Sequence, residues 1–339
     1  MYKNILIINL MYIGDLLFMT PLLRTLRTSF PDAHIALLAD EKNTGVIKYN
    51  PHLSELIGID KKGYHNKLPN YLRLIVDIRR RKFDLVINLH ANERATAIAA
   101  FSGAGKIVGF SAKGFGLFFD CVVKENKDIH QVDAYLEVVK TIHSGGFDNQ
   151  GLEMWLDKAT EERAEIVWNN LFTSPSKIIG INTGGSWPTK RWTKTGFAQL
   201  ADGLLEKGYG IAFFGGPMDV ADVEEIVSIM KHGQHEKLVM FTGKTSLLEM
   251  ASLVKKCEVL VTGDSGPMHI AVARKVPVVA IFGPSDSRRF APYRQESNVI
   301  KIGCACQPCG KHSCTIGHIC MEQITVEMVR AKLSDLEIK

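Results

Sequence analysis

Residues 3–38, KNILIINLMYIGDLLFMTPLLRTLRTSFPDAHIALL, set out one repeat of a doubly wound α/β layer. Lys3 to Leu10 is a near-continuous apolar run, the pattern of a strand buried on both faces of a parallel sheet. Met11 to Asp15 reads as a loop and Leu16 to Ser29 as a helix; Pro31 stops that helix, and His34 to Leu38 is the next strand. The beat recurs. A helix around Tyr71 to Arg81 precedes a strand at Asp84 to Leu89, and Lys106 to Gly109 is a further short strand. Strand alternating with helix is the signature of this architecture.

A glycine-rich polar stretch, Gly145 to Gly151, interrupts the pattern, and a polar helix (Lys158 to Leu171) follows. The alternation restarts at Lys177 to Asn182 (KIIGIN), with strands at Gly210 to Phe214, Leu238 to Phe241, Val259 to Val261 and Val278 to Phe282. The boundary falls between about 145 and 175, which predicts two similar domains, residues 1–155 and 175–339. A chain of 339 residues is long for one ordinary domain and sufficient for two cores. At 46% hydrophobic and 23% charged, the composition excludes disorder, collagen and coiled coil. The net charge of +5 suits anionic substrates or a membrane surface but is too small and dispersed to predict nucleic-acid binding. The first residues lack the pattern of a signal peptide, and no stretch approaches a membrane span. The expectation is a soluble, cytoplasmic protein that at most rests on a membrane.

Open α/β sheets bind ligands beyond the C-terminal ends of their strands, so chemistry is expected in the loops there. Three stand out. In Met11-Tyr12-Ile13-Gly14-Asp15, Gly14 permits a tight turn, and Asp15 either caps the helix or projects as a general base. No Gly-x-Gly-x-x-Gly follows this strand, which disfavours a dinucleotide site. In Thr183 to Trp192 (TGGSWPTKRW), Gly184 and Gly185 expose backbone N–H groups. Ser186 and Thr189 add hydroxyls, while Lys190 and Arg191 add positive charge: a set that can cradle phosphate oxygens without matching a P-loop. In Thr262 to His269 (TGDSGPMH), small residues at a helix N-terminus make an anion site, with His269 in the first turn and Asp264 placed to fix the loop or a basic neighbour. Asp219, after another strand, stands near the same edge. The basic run Arg79-Arg80-Arg81-Lys82 reads as a solvated helix end, with a minority reading in which it joins Arg24 and Arg27 in a face for an anionic acceptor or lipid.

Five of the seven cysteines (Cys304, Cys306, Cys309, Cys314, Cys320) crowd into 17 residues, with His312 and His318 among them. Only Cys306-x2-Cys309 has zinc-knuckle spacing, so a structural role through bound zinc or a local disulfide is favoured over a catalytic one. His-Glu-x-x-His, Gly-x-Ser-x-Gly and Asp-x-Asp are all absent. Without a carboxylate pair to grip a metal–diphosphate, charge on a leaving diphosphate would fall to Lys190, hydroxyls and helix N-termini.

The combination of ILIINLMYIGDLLFMTPLLRTLRTSFPDAHI, TGGSWPTKRWT, FTGKTSLLEMASLVKKCEVLVTGDSGPMHIAVARKVPVVAIFGPSD and the cysteine segment resembles glycosyltransferase family 9, the ADP-heptose:lipopolysaccharide heptosyltransferases. The resemblance implies the α/β GT-B fold, two Rossmann-like domains facing across a cleft, with acceptor on the N-terminal half and nucleotide-sugar on the C-terminal half. It further implies an inverting, metal-independent transfer to a lipopolysaccharide core, at the inner face of the cytoplasmic membrane, with no cofactor required. By carry-over, Asp15 is the base, Lys190 sits on the donor phosphates beside Gly185 and Ser186, and Asp264, Ser265, Gly266 and His269 form the donor-binding turn. Thr245 lies near the nucleoside and Asp219 near the ribose or base; Gly14 and Arg24 fall on the acceptor side. Rival expectations are a nucleotide-sugar-binding paralogue without transferase activity, a GT-B epimerase acting on UDP-sugars, and a metalloprotein organised by its cysteines.

Overall fold

The computed structural model describes residues 2–112, 114–147, 150–172 and 177–336. Residues 148–149 of the expected polar boundary, and 173–175 at its far end, lie outside the described residues. The chain divides into two compact units, Met1–Trp155 and Leu156–Lys339.

In the first unit, β1 (Asn4–Asn9), β2 (His34–Asp40), β3 (Glu55–Ile59), β4 (Leu85–Asn88), β5 (Lys106–Gly109) and β6 (Cys121–Val122) form a parallel sheet in the order β3-β2-β1-β4-β5-β6. The helices are α1 (Ile13–Phe18), α2 (Thr20–Ser29), α3 (Leu68–Arg80), α4 (Glu93–Phe101) and α5 (Gln131–Val139). Ile5 to Asn9 are all buried, as a central strand with helices on both faces requires. Leu6, Ile8, Leu38 and Val86 face a cluster with Leu74, Ile75 and Ile78 of α3 and Ala95, Ile98 and Ala99 of α4. On the other layer, α5 packs against α1 and α2.

The second unit repeats the plan with β7 (Ile178–Asn182), β8 (Gly210–Phe214), β9 (Leu238–Met240), β10 (Val259–Gly263), β11 (Val278–Ile281) and β12 (Val299–Ile300), parallel and ordered β12-β11-β10-β7-β8-β9. Its helices are α6 (Lys158–Leu171), α7 (Lys194–Glu206), α8 (Val220–Ile229), α9 (Leu247–Val254), α10 (Gly266–Ala273), α11 (Ser287–Phe290), α12 (Ile319–Glu322) and α13 (Val326–Asp335). Ile179, Ile181, Val259 and Val261 share a core with Phe197, Leu200 and Leu204 of α7 and Val329 and Leu333 of α13. Burial of each such side chain is worth about 1.5–3 kcal/mol relative to exposure. Both units are Rossmann-like, the α/β class expected.

This connectivity decides where ligands can sit. In the first unit β1 pairs with β2 on one side and β4 on the other. In the second, β7 lies between β8 and β10. Chains leave β1 and β4, and likewise β7 and β10, toward opposite sides of their sheet, which opens a crevice at the C-terminal strand ends.

The expected single helix Leu16–Ser29 is two, α1 and α2, broken at Met19. Pro21 has no N–H to offer the carbonyl of Leu17, and Thr20 Oγ1 donates to that oxygen instead at 2.7 Å. Gly14 is the second residue of α1 rather than a left-handed turn residue. The basic face proposed for Arg24 and Arg27 does not form. Arg24 is 7% exposed and its guanidinium meets Glu153 at 2.9 Å and the Gly151 carbonyl at 2.5 Å. Arg27 donates to the carbonyls of Pro31, Ala33 and His52. Both arginines tie neighbouring loops to α2.

Candidate functional site

In the first unit, β1 ends on buried Asn9, whose Oδ1 accepts the N–H of Met11 at 3.2 Å. Asn43 Nδ2 donates to the Met11 carbonyl at 2.8 Å, so the short loop into α1 is held from two sides. Asp15 is the third residue of α1 and accepts the N–H of Tyr12, the residue before the helix, through Oδ2 at 3.4 Å. The capping role leaves Asp15 half-buried rather than enclosed. Its Oδ1 accepts the hydroxyl of Tyr135 at 3.2 Å. Tyr135 lies on α5, fully buried, and burial together with the Asp15 carboxylate pushes its ionisation well above the usual phenol range. It stays a proton-bearing donor. Sequence reading missed Tyr135, since nothing local marks a helix tyrosine as the partner of a residue 120 positions away.

On the other side of the crevice, His90 follows β4, and among the described residues its buried Nδ1 has no hydrogen-bond partner. Burial, reinforced by the charge of Lys61, pulls its pKa down to about 4, so the ring is neutral at physiological pH. Lys61 itself meets Asp40 Oδ2 at 2.9 Å and the Leu10 carbonyl at 2.7 Å. The edge thus offers a partly exposed carboxylate, a neutral imidazole and an anchored ammonium.

In the second unit, the loop after β7 and the turn after β10 meet across the crevice. Lys190 Nζ lies 2.6 Å from Asp264 Oδ2, and the two side chains are 14% and 8% exposed. The Lys190 ammonium also stands over the Trp187 ring, 4.4 Å from its centroid. Close backbone approach makes this packing: a Cβ on Gly263 would come within 2.9 Å of the Lys190 carbonyl oxygen. Asn182, at the end of β7, ties the two loops together by donating to Thr262 Oγ1 at 3.0 Å and Ser265 Oγ at 3.1 Å. Ser265 precedes α10, but its hydroxyl is drawn to Asn182 and Thr262 and makes no capping bond. The first turn of α10, beginning at Gly266, therefore has no Ser265 cap, an arrangement in which a helix N-terminus can receive an anion. His269 is in that turn and 4% exposed. Among the described residues, Asn182 Oδ1, Thr183 Oγ1, Thr242 Oγ1 and Ser285 Oγ are buried at these strand ends without a hydrogen-bond partner. Such atoms are costly unless a ligand or water completes them.

The remaining expected residues surround this centre. Gly185 is half-buried, and its carbonyl accepts from Arg191 Nε at 3.2 Å and Nη2 at 3.1 Å; Ser186 is exposed at the loop tip. Asp219 holds Arg191 at 3.1 Å and the Gly216 N–H at 2.9 Å, and its carboxylate lies so near Gly184 that a Cβ there would meet it at 2.5 Å. In this structure Asp219 shapes the glycine loop. Arg191 also pairs with Asp222, whose carboxyl is held below the usual range by its hydrogen bond from Lys194 and by the Arg191 charge, against the opposing effect of burial. Thr245 is half-buried in the loop before α9, just ahead of the capping residue Ser246.

The cysteine segment lies beside the Lys190 loop. All seven cysteines are free thiols, so the local disulfide is not formed. Cys304 and Cys306 sulfurs are 3.7 Å apart, and a cavity of about 120 Å³ is lined by Cys304, Cys306, Cys309, Cys314, Cys320 and Thr189. Among the described residues, no three His, Cys, Asp or Glu side chains are arranged to hold a metal ion. Burial and the neighbouring thiols push Cys320 up to about 11.

The sequence pattern of glycosyltransferase family 9 (heptosyltransferase) matches residues 71–320. The chain is 28% identical over 331 residues to lipooligosaccharide heptosyltransferase 2 of Campylobacter jejuni subsp. jejuni serotype O:2, covering 96% of this chain and 95% of that protein. Among solved structures, the family 9 glycosyltransferase of Veillonella parvula DSM 2008 superposes with a TM-score of 0.88 at 32% identity, covering 98% and 97% of the two chains. The ADP-heptose lps heptosyltransferase II of E. coli has a TM-score of 0.79 at 23% identity, covering 98% of each chain.

Proposed function

The chain belongs to glycosyltransferase family 9, and on that premise we propose that it transfers heptose from ADP-heptose to a lipopolysaccharide core acceptor, with inversion and without a metal. Two of the similar proteins named above carry heptosyltransferase in their names, and one of those names includes ADP-heptose. The observation that carries the reading is the Lys190–Asp264 pair beside the uncapped first turn of α10.

The second unit takes the donor. Lys190, the α10 N-terminus with Gly266 and Ser265, and the Gly185–Ser186 backbone meet the diphosphate, where negative charge grows as the anomeric C–O bond breaks. Asp264 keeps the Lys190 ammonium extended toward that position. The buried hydroxyls of Thr183 and Ser285 offer further donors, while Thr245, Asp219 and His269 lie toward the nucleoside side. The first unit takes the acceptor. Asp15 removes the proton of the attacking hydroxyl as its oxygen bonds to the anomeric carbon, and the diphosphate leaves with the electron pair of the broken bond. Tyr135 and the Tyr12 N–H hold the carboxylate in place and keep its outer edge turned to the acceptor. General-base catalysis contributes roughly 10²–10⁴-fold, and the fixed positive groups on the diphosphate contribute the larger share. The absence of Asp-x-Asp supports charge neutralisation by Lys190 and backbone N–H groups.

The reaction takes place at the inner face of the cytoplasmic membrane, where a lipid-linked acceptor would be met. Among the described residues, no helix is long and apolar enough to cross a membrane. The test is release of nucleotide from ADP-heptose, GDP-sugars and UDP-sugars with and without truncated lipopolysaccharide cores. Acceptor-dependent release from ADP-heptose is expected. Release without acceptor, or epimerised UDP-sugar, would overturn the assignment.

A further inference from the structure

The loop that carries Lys190 is gripped from one side by the irregular segment between β12 and α12. Trp187 stacks on His312, ring centroids 3.9 Å apart at 28°. Thr189 Oγ1 donates to the Lys311 carbonyl at 2.7 Å. The Thr189 carbonyl lies 2.6 Å from His318 Nε2, which donates to it. These three attachments fall on the residues immediately before Lys190. The same segment is fastened on the far side of the crevice: Gln307 Nε2 donates to the carbonyls of Phe282 and Gly283, at 3.2 and 2.5 Å, and the Gly310 N–H donates to the Pro284 carbonyl at 2.8 Å. In the sheet, β10 lies between β7 and β11. The segment therefore joins the loop after β7 to the loop after β11, with the Asp264 turn of β10 between them.

A lysine with four rotatable bonds reaches a phosphate only if its backbone is fixed, since ordering such a side chain is costly. Within its own loop, Lys190 has one short turn, its N–H donating to the Trp187 carbonyl at 3.0 Å. The segment adds three attachments from outside the loop. His318 is itself set by its left-handed backbone (φ 54°) and by its N–H donating to Cys314 Sγ at 3.3 Å. We propose that residues 307–318 are a positioning clasp for donor binding, with His318 acting through Thr189 to hold Lys190 opposite Asp264. His318 and His312 are positioning residues that do not touch the donor. The proposal rests on the reading of Lys190 as a ligand of the donor phosphates, and the test separates the two.

ADP affinity by calorimetry, donor KM and kcat, and Tm are measured for Lys190→Ala, His318→Ala, His318→Gln, Thr189→Val and the Lys190→Ala/His318→Ala double variant. His318→Ala is expected to weaken ADP binding and raise donor KM about tenfold, the cost of one lost bond to a buried carbonyl, with kcat falling as well because Lys190 also meets the charge that grows on the leaving diphosphate. His318→Gln, whose amide can still donate, restores most of the affinity. Thr189→Val, which keeps the loop's shape, moves affinity in the same direction as His318→Ala. In the Lys190→Ala background the His318→Ala effect disappears, because it acts through the lysine. If Lys190→Ala leaves ADP affinity unchanged, the phosphate reading falls and the clasp with it. If Lys190→Ala weakens ADP but His318→Ala does not, or the two losses add, the clasp is wrong while the phosphate reading stands.

Discussion

Tyr135 donates its hydroxyl hydrogen to Asp15 Oδ1 at 3.2 Å from a position only 1% exposed. The bond joins α5 to the first turn of α1 and gives the carboxylate a partner that cannot readily lose its own proton.

Replacing Tyr135 by Phe keeps the ring and removes that donor. The carboxylate loses stabilisation of its charged form, so the acid limb of kcat should move to higher pH and kcat should fall about three- to tenfold. ADP affinity should stay unchanged. An unshifted pH–rate profile would show that the bond serves packing alone.

Gly263→Ala introduces a Cβ within 2.9 Å of the Lys190 carbonyl oxygen, a backbone atom that cannot swing aside. Overpacking of this kind costs about 1–3 kcal/mol. The loop after β7 should yield before the sheet does, so donor KM should rise about fivefold or more with a modest loss of Tm. Steady-state kinetics with varied donor, beside a thermal melt, distinguish this from simple unfolding.

His90 makes stability depend on pH. Its pKa of about 4 in the fold lies below the 6.5 of an ordinary imidazole, so unfolding takes up a proton between those values. The stabilisation is complete above pH 6.5 and is lost as pH falls toward 4. Tm of the wild type should drop across that window, and His90→Gln should flatten the drop. The Cε1 proton resonance of His90 reports the same event; titration near 6.5 would contradict the buried, neutral ring.

Much of the fold was legible because β1 and β7 are apolar runs with no alternative but a doubly covered sheet. Several of the elements left unread have short or flat patterns: β3 (ELIGI), the alanine-rich α4, and the two-residue edges β6 and β12. α5 was unread for another reason, as seven of its nine residues are buried and it lacks the broad polar face that marks a surface helix. Of the candidate site, Lys190 and Asp264 were each legible from the chemistry of their loops. Their pairing across 74 residues was partly so, since Asp264 read as a partner for a basic neighbour. Arg24 misled because a helix arginine reads as surface, whereas a contact with Glu153 that no local pattern encodes draws it inward. Thr189, His312 and His318 carried no signal as a group, because the segment joining them has neither strand nor helix periodicity.

The most direct test is Asp15→Asn, with turnover measured at saturating ADP-heptose and acceptor alongside ADP affinity by calorimetry. The amide keeps the size of the side chain and its bond from the Tyr12 N–H but cannot take up a proton. Turnover should fall by about 10²-fold or more while ADP binds as to the wild type. Retained turnover, or a loss of ADP affinity that accounts for the drop, would contradict a base in the first unit acting on an acceptor while the second unit holds the donor.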